Sequence, residues 1–275
     1  MHDHHEREET APEGASTTDS SAAGAPAPTA PATQPVSRDA EYWAKGVTIL
    51  HADQKPSDGI NLNVTGRRVV SPIQGFGQMW EKTYQVRLAG ASVTPEEVVA
   101  VWKEEFPSFW PSGNRFYRPL TGIRPGEVAV LNLSMAPMVR LSTGVMVLYA
   151  DPESFTLMTP QGHVFAGWIT FSARKDGDVT VAQAEVLMRA NDPFYEVGLI
   201  LGGHTRENRF WEYTLVSLAA RFGVDGQVIS EYQLIDKHRQ WKNAKNAWHN
   251  AMIRSALYDV TRPVRWGAQK VRRSS

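Results

Sequence analysis

Residues 160–192 read PQGHVFAGWITFSARKDGDVTVAQAEVLMRAND and contain two β-rich runs around one turn signal. On both sides of Asp176-Gly177, apolar or small residues alternate with polar ones, which is the two-residue period of a half-buried strand. The Asp-Gly dipeptide accepts the positive φ values of the tight turn that matches strand twist. We therefore predict an antiparallel hairpin of residues 163–174 and 179–189 that turns at Asp176-Gly177.

The same turn predicts which side chains face the interior. With Asp176 and Gly177 as the two turn residues, apolar or small residues oppose each other across the hairpin and share one buried face. The opposed pairs are Ile169 with Ala184, Gly167 with Val186, and Phe165 with Met188. Glu185 and Arg189 fall on the other face, where we predict a solvated surface pair.

Strand and helix signals precede the hairpin. Alternation from Tyr84 to Leu88 predicts a first strand. Thr94-Pro95-Glu96-Glu97 combines a hydroxyl cap, a proline at the first helical position and a capping-box glutamate, so a helix is predicted to begin there and to run to about Phe106. Three further β-rich runs follow at residues 127–133, 143–150 and 154–159.

A second, longer helix is predicted after the hairpin. Asp192-Pro193 has the same cap-plus-proline start, and the periodic apolar pattern continues over about thirty residues to Gly223. Gly202 and Gly203 lie inside this helix, and each costs about 1 kcal/mol relative to Ala. The helix therefore either breaks at the two glycines or packs there very close to another backbone.

This order of strand, helix, several antiparallel strands and one long C-terminal helix resembles the SRPBCC superfamily, which includes START lipid-binding domains and birch-pollen-allergen proteins. The segment Pro160–Gly167, with the hairpin and the helix that follow it, looks like a domain-of-unknown-function branch of that superfamily. The resemblance covers residues 80–224. It implies an α+β helix-grip fold, in which a curved antiparallel sheet wraps around the long C-terminal helix.

In relatives of this kind the pocket between sheet and helix holds lipids, sterols, polyketides or other apolar ligands, and a minority of relatives are enzymes. No catalytic residue can be carried over position by position. The inner face of the hairpin and the start of the long helix supply the candidate ligand-binding residues. These are His163, Phe165, Gly167, Ile169, Phe171, Ala184, Val186, Met188, Tyr195 and His204.

Three functions are compatible with these patterns. The favoured hypothesis is a non-enzymatic protein that binds an apolar, lipid-like or polyketide-like molecule in an internal cavity. The alternative is an enzyme of the same fold, a cyclase, dehydratase or hydrolase-like protein, that uses His163 or His204 as a cavity histidine. A third possibility is an interaction protein that acts through its basic C-terminal segment.

Composition divides the chain into four segments. Residues 1–40 are rich in Ala, Pro and Thr, carry seven acidic and two basic side chains, and are predicted to form a disordered tail. Residues 41–79 indicate an extended strap, and residues 80–224 the helix-grip ligand-binding domain. Residues 225–275 are predicted to be a basic amphipathic helical extension, since ten basic and two acidic side chains fall after residue 235.

The predicted C-terminal helix carries one mainly apolar stripe. The stripe consists of Trp241, Ala244, Trp248, Ala251, Met252 and Ser255. It can pack on its own domain, on a partner chain or on a membrane. The basic charge of residues 237–275 favours an anionic membrane surface as the docking target, with nucleic acid as the less favoured alternative. The oligomeric state stays open.

Several kinds of chemistry are excluded by what the sequence lacks. The chain contains no cysteine, which excludes a disulfide, a thiolate metal site and a cysteine nucleophile. It has no Gly-x-Ser-x-Gly elbow, His-Glu-x-x-His pair or phosphate loop. We interpret His2, His4 and His5 as a loose terminus rather than a metal site, and we predict no cofactor. The first residues form no secretory signal, so we expect a cytoplasmic protein.

Overall fold

The computed structural model describes residues 40–46, 48–52, 62–136 and 139–258. The predicted disordered tail lies outside these residues except for Ala40, and so do residues 259–275 of the predicted C-terminal extension. The strands and α-helices are, in chain order, β1 (Met79–Arg87), α1 (Pro95–Glu105), β2 (Arg115–Tyr117), β3 (Val128–Ala136), β4 (Val139–Ala150), β5 (Ser154–Met158), β6 (Phe165–Asp176), β7 (Val179–Ala190), α2 (Pro193–Gly198), α3 (His204–Arg221), β8 (Val228–Asp236) and α4 (251–258).

The eight strands form one antiparallel sheet in the order β2-β3-β4-β5-β6-β7-β1-β8. The sheet is curved and unclosed, and the long helix α3 packs against β1, β7 and β8. Helix α1 lies against β6 and β7. This is the α+β helix-grip arrangement that the sequence predicted, so the predicted fold class is confirmed.

The hairpin of β6 and β7 forms, but its register differs from the prediction by two residues. Gly177, with φ of 61°, and Asp178 are the turn residues, because Asp176 already pairs with Val179. The opposed pairs are therefore Phe171 with Ala184, Ile169 with Val186, and Gly167 with Met188. A shift of two residues leaves every side chain on its predicted face, since side chains alternate with period two. Ala184 and Val186 are buried, and Glu185 is exposed.

The prediction of a solvated Glu185–Arg189 pair is wrong for Arg189. This side chain is 4% exposed and donates to the carbonyl oxygens of Gly77 and His238, at 2.6 and 2.9 Å, and it pairs with Asp236. The reason is that the chain after β8 crosses this face of the sheet. Arg189 thereby ties the end of β8 to the middle of the sheet.

Part of the predicted C-terminal helical extension is a strand in the structure. Residues 228–236, assigned from sequence to a helical extension, form the edge strand β8 and pair with β1 from Val86 to Met79. Most of β8 is exposed, which is why its apolar alternation is weak. The sheet that surrounds α3 therefore continues to Asp236.

The predicted long helix breaks at its two glycines. Asp192 caps α2 through its Oδ1, which accepts from the backbone N–H groups of Phe194 and Tyr195. After α2, a π-helical turn at Leu199–Gly203 contains Gly202 with φ of 113°, a conformation that favours glycine. Helix α3 begins after this turn. The turn therefore determines which side chains of α3 point toward the sheet.

The first helix and the main core follow the sequence pattern closely. Thr94 and Glu97 form the predicted capping box at the start of α1. On the inner side of α1, Trp102 and Phe106 pack edge-to-face against the stacked rings of Phe155 and Phe171. This aromatic cluster fills the space between α1 and the strands β5 and β6.

Residues of the predicted strap are mostly irregular where they are described. Isolated bridges join Trp43 to Tyr149, Ile49 to Arg68, and Val69 to Pro160. On the outer face of the sheet, Leu50 and Val64 pack with Val130 and Met146 in a separate core cluster. This segment thus covers the outer face of β3 and β4.

The predicted C-terminal helix is divided into two pieces at Asn250. Trp241–His249 is a 3₁₀-helix, and α4 follows after Asn250, whose ψ of 115° interrupts the helical geometry. The Asn250 amide donates to Asp192 Oδ2 at 2.8 Å, and the Ala251 N–H donates to the Gly162 carbonyl at 2.9 Å. The second piece is therefore fastened to the domain beside the start of α2.

Gly167 is predicted to be a requirement of the hairpin rather than a space that a larger residue can fill. A Cβ at this position would overlap the carbonyl oxygen of Leu187 and lie 2.9 Å from the Cα of Met188. Gly167→Ala is expected to cost roughly 1–3 kcal/mol in the free energy of unfolding, because neighbouring backbone must move. Chemical denaturation measures this loss.

Gly198→Ala is the matched control for that experiment. Gly198 has helical φ and ψ of −60° and −38°, and nothing lies within 4 Å of the Cβ it would gain. The alanine should stabilise α2 by up to about 1 kcal/mol. Equal effects of the two substitutions would contradict the close approach at Gly167.

Candidate ligand-binding cavity

A cavity of about 980 Å³ lies between the sheet and the α2–α3 segment. Strands β3 to β7 contribute one wall, the π-helical turn and the first half of α3 the other, and Met252 of α4 one side. The walls are mainly apolar. Side chains that define them include Leu131, Leu133, Val145, Leu157, Phe210 and Trp211.

Most of the residues predicted from sequence to line a cavity do so. His163, Phe165, Gly167, Ile169, Val186, Met188 and Tyr195 contribute to the wall. Phe171, Ala184 and His204 do not. Phe171 and Ala184 oppose each other two positions further along the hairpin, where the aromatic cluster of α1 occupies the interior. His204 is turned toward β1 by the break at Gly202.

His163 is the single histidine in the described part of the cavity wall. An enzyme that uses a cavity histidine, the alternative hypothesis, would therefore have to use His163 and not His204. Its Nδ1 accepts the backbone N–H of Phe165 at 3.0 Å, which leaves the proton of the neutral ring on Nε2. Burial lowers the pKa of His163 to about 4. At neutral pH the side chain is thus an uncharged hydrogen-bond donor.

Tyr195 has a mainly structural set of contacts. Its hydroxyl accepts the backbone N–H of Met252 at 3.0 Å and lies 3.4 Å from the Gly162 carbonyl. Burial raises the pKa of this phenol above its usual value. The side chain therefore connects α2 and α4 and forms the cavity wall with its ring.

His204 belongs to a buried polar cluster beside the cavity. Lys82 of β1 is 2% exposed, and its Nζ is 3.1 Å from His204 Nδ1 and 2.7 Å from Asn208 Oδ1. The same amine forms an ion pair with Glu207, and Tyr84 donates to Asn208 Oδ1 at 2.9 Å. The Lys82 amine and the Tyr84 phenol thus share three partners on α3, of which Glu207 is buried and His204 and Asn208 are half-buried.

The electrostatics of this cluster follow from its burial. Burial raises the pKa of Glu207, although the neighbouring Lys82 ammonium opposes that shift. Burial and the same ammonium lower the pKa of His204 to about 4. Glu207 is the one member of the cluster that also lines the cavity. Its negative charge at the wall is balanced by Lys82 directly behind it.

Sequence reasoning missed the side chains that α3 presents to the cavity. Arg206, Glu207, Arg209, Phe210 and Trp211 all contribute to its wall. Phe210 and Trp211 belong to the periodic apolar pattern of the helix and could have been proposed. Nothing in the sequence indicated that the two arginines line the cavity. Which side chains of α3 point toward the cavity depends on the break at Gly202.

Some of the exposed apolar side chains lie beside the cavity and in the C-terminal segment. Trp241 and Trp248 are 74% and 86% exposed, whereas Ala251 and Ser255 of the same predicted stripe are buried. Phe194 and Leu201, which line the cavity, are also exposed. The stripe is thus divided, with its second half packed on the domain and its tryptophans at the surface.

The fold and the cavity define a helix-grip protein with a mainly apolar cavity between its sheet and the α2–α3 segment. Several solved structures are similar over about half of this chain. They include a START superfamily protein from Mycobacterium smegmatis (21% identity, 54% of this chain and 98% of that chain, TM-score 0.36) and the major latex-like protein 151 of Panax ginseng (13%, 53% and 99%, 0.36). The neighbours thus include a START superfamily protein, as the sequence resemblance predicted.

Another similar structure is the di-domain ARO/CYC protein StfQ of the steffimycin biosynthetic pathway (12% identity, 54% of this chain, TM-score 0.42). The match spans 53% of the length of that protein. No family model and no curated protein matches the chain. Strand order and helix placement define the fold, and nothing about ligand or activity follows from these neighbours.

Residues 40–258, apart from the undescribed gaps, contain no group of three or more His, Asp or Glu side chains placed to hold a metal ion. Within the same residues, none of the helices combines the length and the apolar character that crossing a bilayer requires.

Proposed function

We propose that this protein binds an apolar small molecule in the cavity between the sheet and α3. The observation that carries the proposal is the size and lining of the cavity, about 980 Å³ with mainly apolar walls. Ligand sites in proteins have this volume range and combine apolar walls with a few polar groups that fix orientation. A core packed as densely as usual leaves no such space.

The polar groups in the wall suit a ligand that is apolar over most of its length. His163 offers one neutral donor and Ser112 an uncharged hydroxyl, whereas Thr159 and Asn114 already hydrogen-bond to neighbouring backbone. The charged residues of the lining, Arg206, Glu207 and Arg209, all lie on α3, and the remaining lining residues that the structure describes are uncharged. A molecule with many polar groups would therefore lose more hydration than these residues could replace.

Titration with N-phenyl-1-naphthylamine, a neutral apolar fluorophore, tests this function. The fluorescence should rise in a saturable manner with one site per chain, because the ring system leaves water for an apolar wall. A competing apolar ligand should reverse the rise. A linear, unsaturable signal at protein concentrations where the fold is intact would contradict the proposal.

A second proposed function, supported by the exposure of Trp241 and Trp248, is docking at an anionic membrane surface. Lys237, Lys242 and Lys245 lie in the same short segment. Indole rings favour the membrane interface, and each Lys or Arg near an anionic bilayer contributes about 1 kcal/mol. The tryptophans would enter the headgroup region while the lysines contact the lipid charges.

Replacing both tryptophans by Ala is expected to reduce co-sedimentation with phosphatidylserine-containing vesicles by about tenfold or more, since each ring buries a large apolar area. Leu120→Ala is the matched control, because Leu120 is equally exposed but lies elsewhere, between β2 and β3. Substitution is preferable to truncation after Asp236, because truncation would also remove the buried Ala251.

Binding that resists high salt, or equal binding of both variants and wild type, would contradict membrane docking through this segment. Duplex and single-stranded nucleic acid should be tested in parallel, since phosphate contacts give a similar salt dependence. Binding to nucleic acid but not to vesicles would replace the membrane with the alternative partner.

A further inference from the structure

Two arginines lie on the cavity wall without a partner in the described part of the chain. Arg206 and Arg209 are both on α3 and both contribute to the lining. Residues three apart on a helix are neighbours on its surface, so both side chains can reach the same point. Among the described residues, neither guanidinium forms a hydrogen bond or an ion pair.

The remaining titratable groups of the wall do not neutralise these two charges. Glu207 is the one carboxylate among the described residues of the lining, and it is engaged by Lys82 and contacted by the Tyr84 hydroxyl. His163 is neutral at pH 7. The α3 side of the cavity therefore carries an uncompensated positive charge beside walls that are otherwise apolar.

This charge distribution favours an anion beside the apolar walls. Two guanidinium groups close together repel each other, and their attraction for a nearby anion is strengthened by the low-dielectric walls. The planar forks of Arg match the two oxygens of a carboxylate with parallel hydrogen bonds. Arg206 and Arg209 are both exposed, so they lie at the solvent side of the cavity, where a carboxylate would keep part of its hydration.

We propose that the ligand is an apolar acid whose carboxylate is held by Arg206 and Arg209 while its hydrocarbon body occupies the cavity. This inference rests on the proposed function, because it names the class of molecule that the same cavity takes. The apolar body supplies most of the binding free energy. The two arginines select the acid over neutral molecules of the same length and fix which end points to solvent.

The test compares dodecanoic acid with dodecan-1-ol as competitors for bound N-phenyl-1-naphthylamine at pH 7.5. The wild-type protein should bind the acid about tenfold more tightly than the alcohol, since charge-assisted hydrogen bonds exceed neutral ones. Arg206→Gln combined with Arg209→Gln should remove this preference and leave the affinity for the alcohol within about twofold. The neutral fluorophore should bind both proteins equally.

Arg174→Gln is the matched control, because Arg174 is exposed on β6 and does not line the cavity. It should leave the preference for the acid intact. Circular dichroism melts show whether the double variant is folded. Should it unfold, Arg206→Lys with Arg209→Lys keeps the charge, and the preference should then weaken but persist.

The outcomes separate this inference from the proposed function. Saturable fluorophore binding with equal displacement by acid and alcohol would overturn the inference and leave apolar binding in place. An acid preference that survives in the folded glutamine variant would also overturn it. If neither the fluorophore nor either competitor binds, both the proposed function and the inference are wrong.

Discussion

Replacing Val145 and Val186 by Phe in one variant is expected to weaken the binding of N-phenyl-1-naphthylamine by at least about tenfold, or about 1.4 kcal/mol. Both valines line the cavity, from β4 and β7, and both are buried. Two added rings would occupy the space that the fluorophore needs. Because they enter an existing cavity, the melting temperature should stay close to that of the wild type.

Val147→Phe is the control for the double variant. Val147 lies two positions from Val145 on β4, so it shares the same face, but it is fully buried and does not line the cavity. There the added ring should overpack the core and cost about 1–3 kcal/mol. Fluorophore titration and thermal melts of the three proteins give the comparison. A double variant that is destabilised as much as Val147→Phe, or that binds normally, would contradict the cavity.

The local signals of the sequence were sufficient for the hairpin and for the facing of its residues. Alternation in β6 and β7 decides which side chains point inward, and a register error of two residues does not change that facing. The register itself depends on which residue of the Asp-Gly-Asp turn takes the positive φ. In the structure Gly177 has positive φ, and it is the first turn residue rather than the second.

The limits of the cavity could not be predicted from the hairpin alone. Phe171 and Ala184 have the same alternation as Ile169 and Val186, and only the position of α1 makes the first pair core and the second pair cavity wall. That position is a property of tertiary packing. For the same reason, sequence could not separate an aromatic core from an aromatic-lined pocket.

The break in the long helix had a further consequence for the candidate site. An uninterrupted helix from Asp192 would fix the face of every later residue by the 3.6-residue period. The π-helical turn at Leu199–Gly203 resets this phase. His204 therefore points to Lys82 rather than into the cavity, and Arg206 and Arg209 take places in the wall that periodicity did not indicate.

Lys82→Met is expected to destabilise the protein by about 3–5 kcal/mol, because it removes the partner of a buried charge. Lys82 and Glu207 are 2% and 8% exposed, and no other cation contacts Glu207 among the described residues. Met keeps the length and apolar contacts of the lysine stem, so the loss reports on the charge. Chemical denaturation at pH 7 measures it.

Neutralising both partners should recover most of this loss. Lys82→Met combined with Glu207→Gln leaves no buried charge, and the glutamine can still bond with the Tyr84 hydroxyl. The double variant should therefore be more stable than Lys82→Met alone by about 2 kcal/mol or more. Two additive losses would show that Lys82 acts through packing and not through the ion pair.

The pH dependence of the free energy of unfolding of Lys82→Met is a second way to distinguish a charge effect from a packing effect. Without the ammonium, desolvation raises the pKa of Glu207 in the folded protein further above its unfolded value, since burial is already the largest cause of its shift. The folded state then holds the proton more tightly than the unfolded chain, so stability decreases as pH rises above the unfolded pKa of about 4.3. The deficit relative to wild type should be largest at pH 7 and shrink toward pH 5. A deficit that is constant over this range would mean that the carboxylate of Glu207 remains hydrated without Lys82.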